Sequence, residues 1–398
     1  MSTTRRTLLR HSATAALTTL GFPAILRAEG SRTAPLDAAM TTLLGRYGLP
    51  GGALGIARAG RLVYAKGFGF ANKEHGTQVR PESLFRIASV SKPITAATIL
   101  RLVEMGRMTL DEPALGLLGD DYLAGGVADA RFMKITVRHL LQHAGGWDKA
   151  RSGDPLFSSA QIARSMGVAA PADTRTTIRY VLQRALDFEP GSRFSYCNFG
   201  YCILGRIIEA VTRQSYADAV RSLVLRPSGI SRMALGDATS ARPGEVSYYQ
   251  PGESTYGSFS LATNDANGGW VASVADLLRF TVRLDETAAQ PLLKPATLQA
   301  VYTSVAPGSV GLTGAYHGLG WYVNPKGQGG RPNLWYIGGL PGTKSILTRL
   351  GDGFDWVVLL NQRPQPFDAS NADIQKTIHK AAGDITEWPT HDLFSSLG

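Results

Sequence analysis

FRIASVSKPIT, residues 85–95, is the stretch on which the reading of this chain turns. Ser89 and Lys92 stand three apart, Pro93 follows, and an apolar run, PITAATILRLVEM (93–105), begins there and stops at Gly106. The run is apolar nearly all round, which predicts a buried central helix. Residues three apart on a helix share a face, so the Lys92 amine is within reach of Ser89 Oγ, whereas Ser91 points elsewhere. A serine hydroxyl is a weak nucleophile until a base takes its proton. Lysine serves as that base only when neutral, and burial and the positive end of a helix dipole both favour the neutral amine. Pro93 in the first turn gives up an N–H that has no partner there anyway. The Ser89 N–H is a candidate donor to a developing oxyanion.

This is the only S-x-x-K in 398 residues, but with ten lysines and 28 serines chance alone predicts roughly 0.7 occurrences. Two further stretches give it weight. In PGSRFSYCNFGY (190–201), Pro190-Gly191 makes a turn and Tyr196-Cys197-Asn198 precedes the helical GYCILGRIIEAVTR (200–213). A Tyr196 hydroxyl near Ser89 can relay a proton to a leaving group, and the Asn198 amide can hold Lys92 and a substrate carbonyl. The plainer reading is an aromatic and an N-cap residue at a helix start. A second Tyr-x-Asn, Tyr322-Val323-Asn324, alternates like strand sequence and is set aside. In YIGGLPG (336–342), Gly338 and Gly339 end an expected strand where backbone can approach a ligand closely. The Gly339 N–H is the candidate second oxyanion donor; the plainer reading is a glycine-rich strand end.

Around these motifs, Ala34 to Arg46 reads as a helix ended by glycines, and ALGIARA (53–59) and RLVYAKGFGF (61–70) as a hairpin across Gly60. From 107 to 311, helical segments (135–144, 176–186, 200–213, 273–284) alternate with Pro/Gly-rich connections. Strands return at 317–323, 333–339, 343–350 and 354–361, and a helix over 373–382 closes the chain. Strands at both ends with helices between predict an α+β fold. One antiparallel sheet is built from residues 29–106 and 312–398, and 107–311 forms an inserted, mostly helical domain.

Residues 1–28 read as an export signal: a basic start, an apolar middle too short to span a bilayer, and small residues near Ala28. Thr4-Arg5-Arg6-Thr7-Leu8-Leu9-Arg10 fits the twin-arginine type, which implies an exported, periplasmic or extracellular protein. No later stretch offers eighteen unbroken apolar residues, so stable membrane insertion is not expected. The formal charge of +10 includes four arginines in this leader, and the remaining cations form no blocks, which argues against nucleic-acid binding. Cys197 and Cys202, five apart on a helix, are too distant for a disulfide and read as buried thiols.

With its motifs in this order, the chain resembles the serine hydrolases of the class C β-lactamase and penicillin-binding-protein family, which includes esterases, D-aminopeptidases and D,D-peptidases. FRIASVSKPIT resembles that family's nucleophile segment. ITVRHLLQHAGGW (135–147), PGSRFSYCNFGY and ANGGWVASVADLLRF (266–280) resemble its other recurring stretches. The resemblance implies a Ser89 nucleophile, a Lys92–Tyr196 base system, Asn198 as a substrate contact, and a site between a sheet domain and a helical one. The chain departs from the pattern at the third motif. There the family usually has Lys or His, and this chain has Tyr336. Tyrosine supplies no charge to hold a substrate carboxylate, which favours an esterase or aminopeptidase over a β-lactamase or D,D-peptidase. No cofactor is required; the partners expected are small ester, amide or cell-wall-peptide substrates. A metal hydrolase is the first rival, since His139 and His143 stand four apart. But Leu140 occupies the place of the H-E-x-x-H glutamate and no third ligand appears. A Ser-His-Asp hydrolase lacks its G-x-S-x-G. The remaining rival is a non-catalytic wall-binding sensor that acylates at Ser89 without turning over.

Overall fold

The computed structural model describes residues 32–257, 263–311 and 313–397. The expected export signal therefore lies outside the described residues. The strands are β1 (Gly51–Arg58), β2 (Arg61–Asn72), β3 (Thr77–Gln78), β4 (Phe85–Arg86), β5 (Ala234–Leu235), β6 (Trp270–Ala272), β7 (Tyr316–His317), β8 (Tyr322–Asn324), β9 (Asn333–Leu340), β10 (Thr343–Arg349) and β11 (Phe354–Leu360). Among the described residues eight of them form one antiparallel sheet in the order β3-β2-β1-β11-β10-β9-β8-β7. β1 pairs with β11 from Gly52↔Leu360 to Arg58↔Phe354, which joins the two ends of the chain in one sheet. β4, β6 and β5 make a second, small sheet. The β1–β2 hairpin turns through Ala59 and Gly60, both at positive φ (46° and 77°), the two-residue turn whose twist suits antiparallel strands.

β11 shows how the sheet is covered. Trp356, Val358 and Leu360 point to one face and pack with Leu36, Met40 and Leu43 of helix α1 (Ala34–Tyr47). Val357 and Leu359 point to the other face and join the larger core, which includes Ile94, Ile99 and Leu100 of helix α2 (Ser91–Glu104). A strand covered on both faces reads as a continuous apolar run, as FDWVVLL does. α2 is buried over residues 91–100, as its composition requires. Its polar members are satisfied locally: Thr95 Oγ1 meets Tyr216 Oη at 2.7 Å and the Ala266 carbonyl at 2.6 Å, and Thr98 Oγ1 donates to the Ile94 carbonyl at 2.9 Å. Helix α3 (Asn198–Thr212) packs beside α2, α4 (Val274–Val282) lies against β1 and β11, and α5 (Phe367–Gly383) packs on α1.

Three elements differ from expectation. The helix expected over 135–144 is confined to Val137–Leu141, because His143 takes positive φ (55°) and its ring engages the Cys197 backbone. The strand expected over 317–323 splits into β7 and β8. A loop closed by Gly318 N–H donating to the Trp321 carbonyl at 2.8 Å swings Trp321 into the core, where it stacks on Phe280. Ser89 stands in a 3₁₀ turn (Ala88–Val90) just ahead of α2 rather than on the α-helix itself. No helix among the described residues is long and apolar enough to cross a membrane.

Trp356, on the face away from Ser89, isolates the stability of the sheet from the site. Trp356→Ala is expected to cost about 3–5 kcal/mol in chemical denaturation while the folded protein still labels at Ser89 one-to-one with a fluorophosphonate. Substoichiometric labelling of folded protein would show that the two faces are coupled.

Candidate active site

The chain reaches Ser89 under tight backbone control. Thr343 Oγ1 donates to the Arg86 carbonyl at 2.7 Å and Ser345 Oγ to the Ile87 carbonyl at 2.6 Å, so Thr343 and Ser345 of β10 hold the approach to the turn. The Arg86 guanidinium lies against the rings of Tyr248 and Tyr256, 4.5 and 4.6 Å from their centres. β9 closes the other side. A Cβ at Gly338 would lie 2.3 Å from the Ile87 carbonyl oxygen and 3.0 Å from Ser89 N, so only glycine admits this approach. The two-residue loop Pro341-Gly342 makes Leu340 and Thr343 a hydrogen-bonded pair, and bonding then alternates along β9. Gly339 therefore turns its N–H away from β10, toward the edge of β9 that β8 leaves uncovered beyond Trp335. That edge borders the same cavity as Ser89.

The polar centre is compact. Ser89 Oγ lies 2.8 Å from Tyr196 Oη and 3.1 Å from Lys92 Nζ. Lys92 is fully buried, and its Nζ also donates to Asn198 Oδ1 at 2.7 Å and to the Asn267 carbonyl at 2.9 Å. Burial pulls its pKa down to about 7, against the Asp154 carboxylate and Cys197, which raise it, and with Lys149, which lowers it further. The free amine is thus accessible near neutral pH. A neutral amine has two N–H bonds and one lone pair. Asn198 Oδ1 and the Asn267 carbonyl can only accept, so they take the two N–H groups and leave the lone pair facing Ser89 Oγ.

Tyr196 is different in kind. Burial raises its pKa, as do Tyr322, Asp154 and Cys197, with only its hydrogen bond to Ser89 pulling the other way. It is a phenol at neutral pH, suited to relay a proton and not to act as the resting base. Its hydroxyl also donates to Asn198 Oδ1 at 3.2 Å. Behind it, His143 lies ring to ring with Tyr196 at 4.6 Å, and its Nε2 is 3.3 Å from Tyr336 Oη. Burial, His317 and Lys92 hold His143 well below the usual imidazole range, so it is neutral. His139 instead takes part in a capping box, accepting from the Thr136 N–H. The two histidines share no helical face, and among the described residues no cluster of His, Cys, Asp and Glu suits a metal ion. Cys197 and Cys202 are free, buried thiols.

The cavity has a volume of about 540 Å³ and is bordered by Ser89, Tyr196, Asn198, Tyr336 and Gly339. Six of the seven candidate residues, Lys92 included, thus surround one point, while Gly338 backs the Ser89 turn. Phe157, Tyr322, Trp335 and Phe367 make the walls aromatic, with Lys149 and Asp368 contributing the charges. The buried Tyr336 brings no charge where it lines the cavity. Sequence reasoning missed several participants. Asp154 accepts from Asn198 Nδ2 at 2.7 Å; its only sequence signal is an Asp-Pro turn start. Asn267 acts through its backbone carbonyl, which no side-chain pattern reveals. Tyr322 was set aside as strand sequence, and it is in a strand, but one whose end reaches the cavity.

The fold that brings the Ser89 turn, a buried lysine and a tyrosine together beside a sheet edge is shared with known proteins. The family model described as Beta-lactamase matches residues 36–379, and the chain belongs to that family. It is similar to esterase EstB of Burkholderia gladioli, with 33% identity over 208 residues covering 50% of each chain. It is also similar to a D-aminopeptidase of Gluconobacter oxydans (strain 621H), with 27% identity over 298 residues covering 71% of this chain and 51% of the other. The chain spans about half the length of these two relatives. Among solved structures, D-amino acid amidase from Ochrobactrum anthropi SV3 in complex with L-phenylalanine amide superposes with a TM-score of 0.71 at 20% identity, over 89% of this chain and 99% of that one, which shows a shared fold.

Gly338→Ala is expected to slow labelling of Ser89 by a fluorophosphonate roughly a hundredfold without loss of secondary structure, since the added methyl displaces the turn from β9. A rate equal to that of the unsubstituted protein would show that β9 does not set the position of the turn.

Proposed function

We propose that the protein is a serine hydrolase of carboxylic esters or amides working through an acyl-enzyme on Ser89, with esterase- or aminopeptidase-like substrates favoured. The observation that carries this is Ser89 Oγ held 3.1 Å from the amine of a fully buried lysine and 2.8 Å from a neutral tyrosine. Ser89 Oγ attacks the substrate carbonyl as its proton passes to Lys92. The N–H groups of Ser89 and Gly339 receive the oxyanion. As the tetrahedral intermediate collapses, Tyr196 protonates the leaving group and takes a proton in turn from the Lys92 ammonium, which ends as the free amine. Water then attacks the ester on Ser89 and gives its proton to the same pair, regenerating the serine. Asn198 contacts the substrate from the cavity wall. The names of the esterase and D-aminopeptidase relatives support this choice of bond.

The uncharged third motif separates this reading from a β-lactamase or D,D-peptidase. Tyr336 is buried with its hydroxyl on neutral His143, so it offers a substrate carboxylate no cation. We also read residues 29–106 with 312–398 as the sheet domain and 107–311 as the helical one, with the cavity where the two meet. Export by the twin-arginine route, to the periplasm or medium, rests on Thr4–Arg10 and the short apolar stretch behind it.

Incubation with a short p-nitrophenyl ester is expected to give turnover, and incubation with a penicillin no lasting adduct by intact mass. A stable penicillin adduct on Ser89 without turnover of either compound would identify a sensor or binding protein instead. Lys92→Ala is expected to lower kcat/KM for the ester by about 10²–10⁴-fold with the fold intact by circular dichroism; unchanged turnover would remove Lys92 as the base.

A further inference from the structure

We propose that Asp154 is a positioning residue that aims the Lys92 lone pair at Ser89 by fixing which way round the Asn198 amide sits. The inference rests on the reading of Lys92 as the base and adds to it the group that makes the base point correctly. Asp154 belongs to the loop between the helical turns Lys149–Ser152 and Pro155–Phe157. One carboxylate oxygen accepts from the Leu156 N–H at 3.1 Å and the other from Asn198 Nδ2 at 2.7 Å. Burial raises the Asp154 pKa, while the hydrogen bonds from Asn198 and the Leu156 N–H and the nearby Lys92 and Lys149 lower it; as an ionised carboxylate it offers only lone pairs, so the end of the amide that faces it must be NH₂. Asn198 Oδ1 is thereby turned to Lys92 Nζ and to Tyr196 Oη, 2.7 and 3.2 Å away.

The orientation matters because of what surrounds the amine. With two pure acceptors beside it, the neutral amine has one direction left for its lone pair, toward Ser89 Oγ. With the amide reversed, its NH₂ would face Lys92 and compete for that lone pair, and the Tyr196 hydroxyl would be left with Ser89 Oγ as its acceptor. Asp154 holds this arrangement even when Lys92 is the free amine, which can accept as well as donate, while the Asn267 carbonyl accepts in either. Other charged or titratable groups about the amine are Lys149 on the helical turn before Asp154, Cys197 and Tyr196 ahead of α3, Tyr201 on α3, and neutral His143 and His317. Asp154 is the first of them in raising the Lys92 pKa, so its removal lets burial depress that pKa further.

The test is the pH profile of ester kcat/KM for Asp154→Asn in the full chain, beside a thermal melt and fluorophosphonate titration of active sites. Asparagine has the same shape but can present either end to Asn198 and carries no charge. The expected result is a fall in kcat/KM of roughly ten- to a hundredfold per labelled site, with the acid limb moved to lower pH and the melting temperature near that of the parent. If Asp154→Asn does not fold, Asp154→Ser gives the same readout. A limb in its original place overturns the proposal, whether kcat/KM is unchanged or falls only with the folded fraction; Asp154 would then merely cap the Pro155–Phe157 turn. Failure of the underlying reading looks different: Lys92→Ala would keep its turnover and the parent would show no acid limb, and the proposal would fall with it.

Discussion

The Lys92 amine, packed in a protein core against a hydroxyl and two carbonyl oxygens, is the interaction on which the site depends. α2 must be enclosed to exclude water from that amine, and it packs against α3, the turn at Asp265–Gly268 and the segments Tyr216–Val220 and Arg221–Leu225. Exclusion of water brings the pKa to about 7, and the three oxygens keep the amine from being an unpaired buried group. The same enclosure keeps Tyr196 protonated. One environment thus pushes a base and an acid toward their neutral forms, the condition for moving a proton between them near neutrality.

Geometry at the carbonyl end is set by the sheet. The hairpin between β9 and β10 fixes which residues of β9 face outward, and Thr343 and Ser345 on β10 fasten the backbone before Ser89 to the same pair of strands. Ser89 and the Gly339 N–H are therefore referenced to a single hairpin. Tyr336, three residues before Gly339 on that hairpin, closes the cavity with a hydroxyl held by His143. Its aromatic ring fills a buried position on the strand and brings no charge to the cavity.

Much of this was legible in the sequence because it depends on short spacings. Ser89 and Lys92 are three residues apart, Tyr196 and Asn198 are two, and the paired glycines announce a close approach. The α+β character was equally plain, since strand-like runs at both ends bracket helical ones. What could not be read depends on distant partners. Ala88 takes positive φ (45°) and sets Ser89 in a 3₁₀ turn, a conformation a non-glycine residue adopts only when its surroundings impose it. The 317–323 stretch alternates like a strand, yet burial of Trp321 outweighs local preference. His143 leaves its expected helix to meet Cys197, more than fifty residues on. Asp154 meets Asn198 across 44 residues of loop and helix, and Asn267 contributes only main chain.

The most direct test of a neutral Lys92 taking the Ser89 proton is the pre-steady-state rate of acyl-enzyme formation with a p-nitrophenyl ester, followed by intact mass from about pH 5 to 9. The structure predicts a rate that falls as a single proton binds, with a midpoint near the Lys92 value of about 7. An acylation rate that does not change across this range would contradict it.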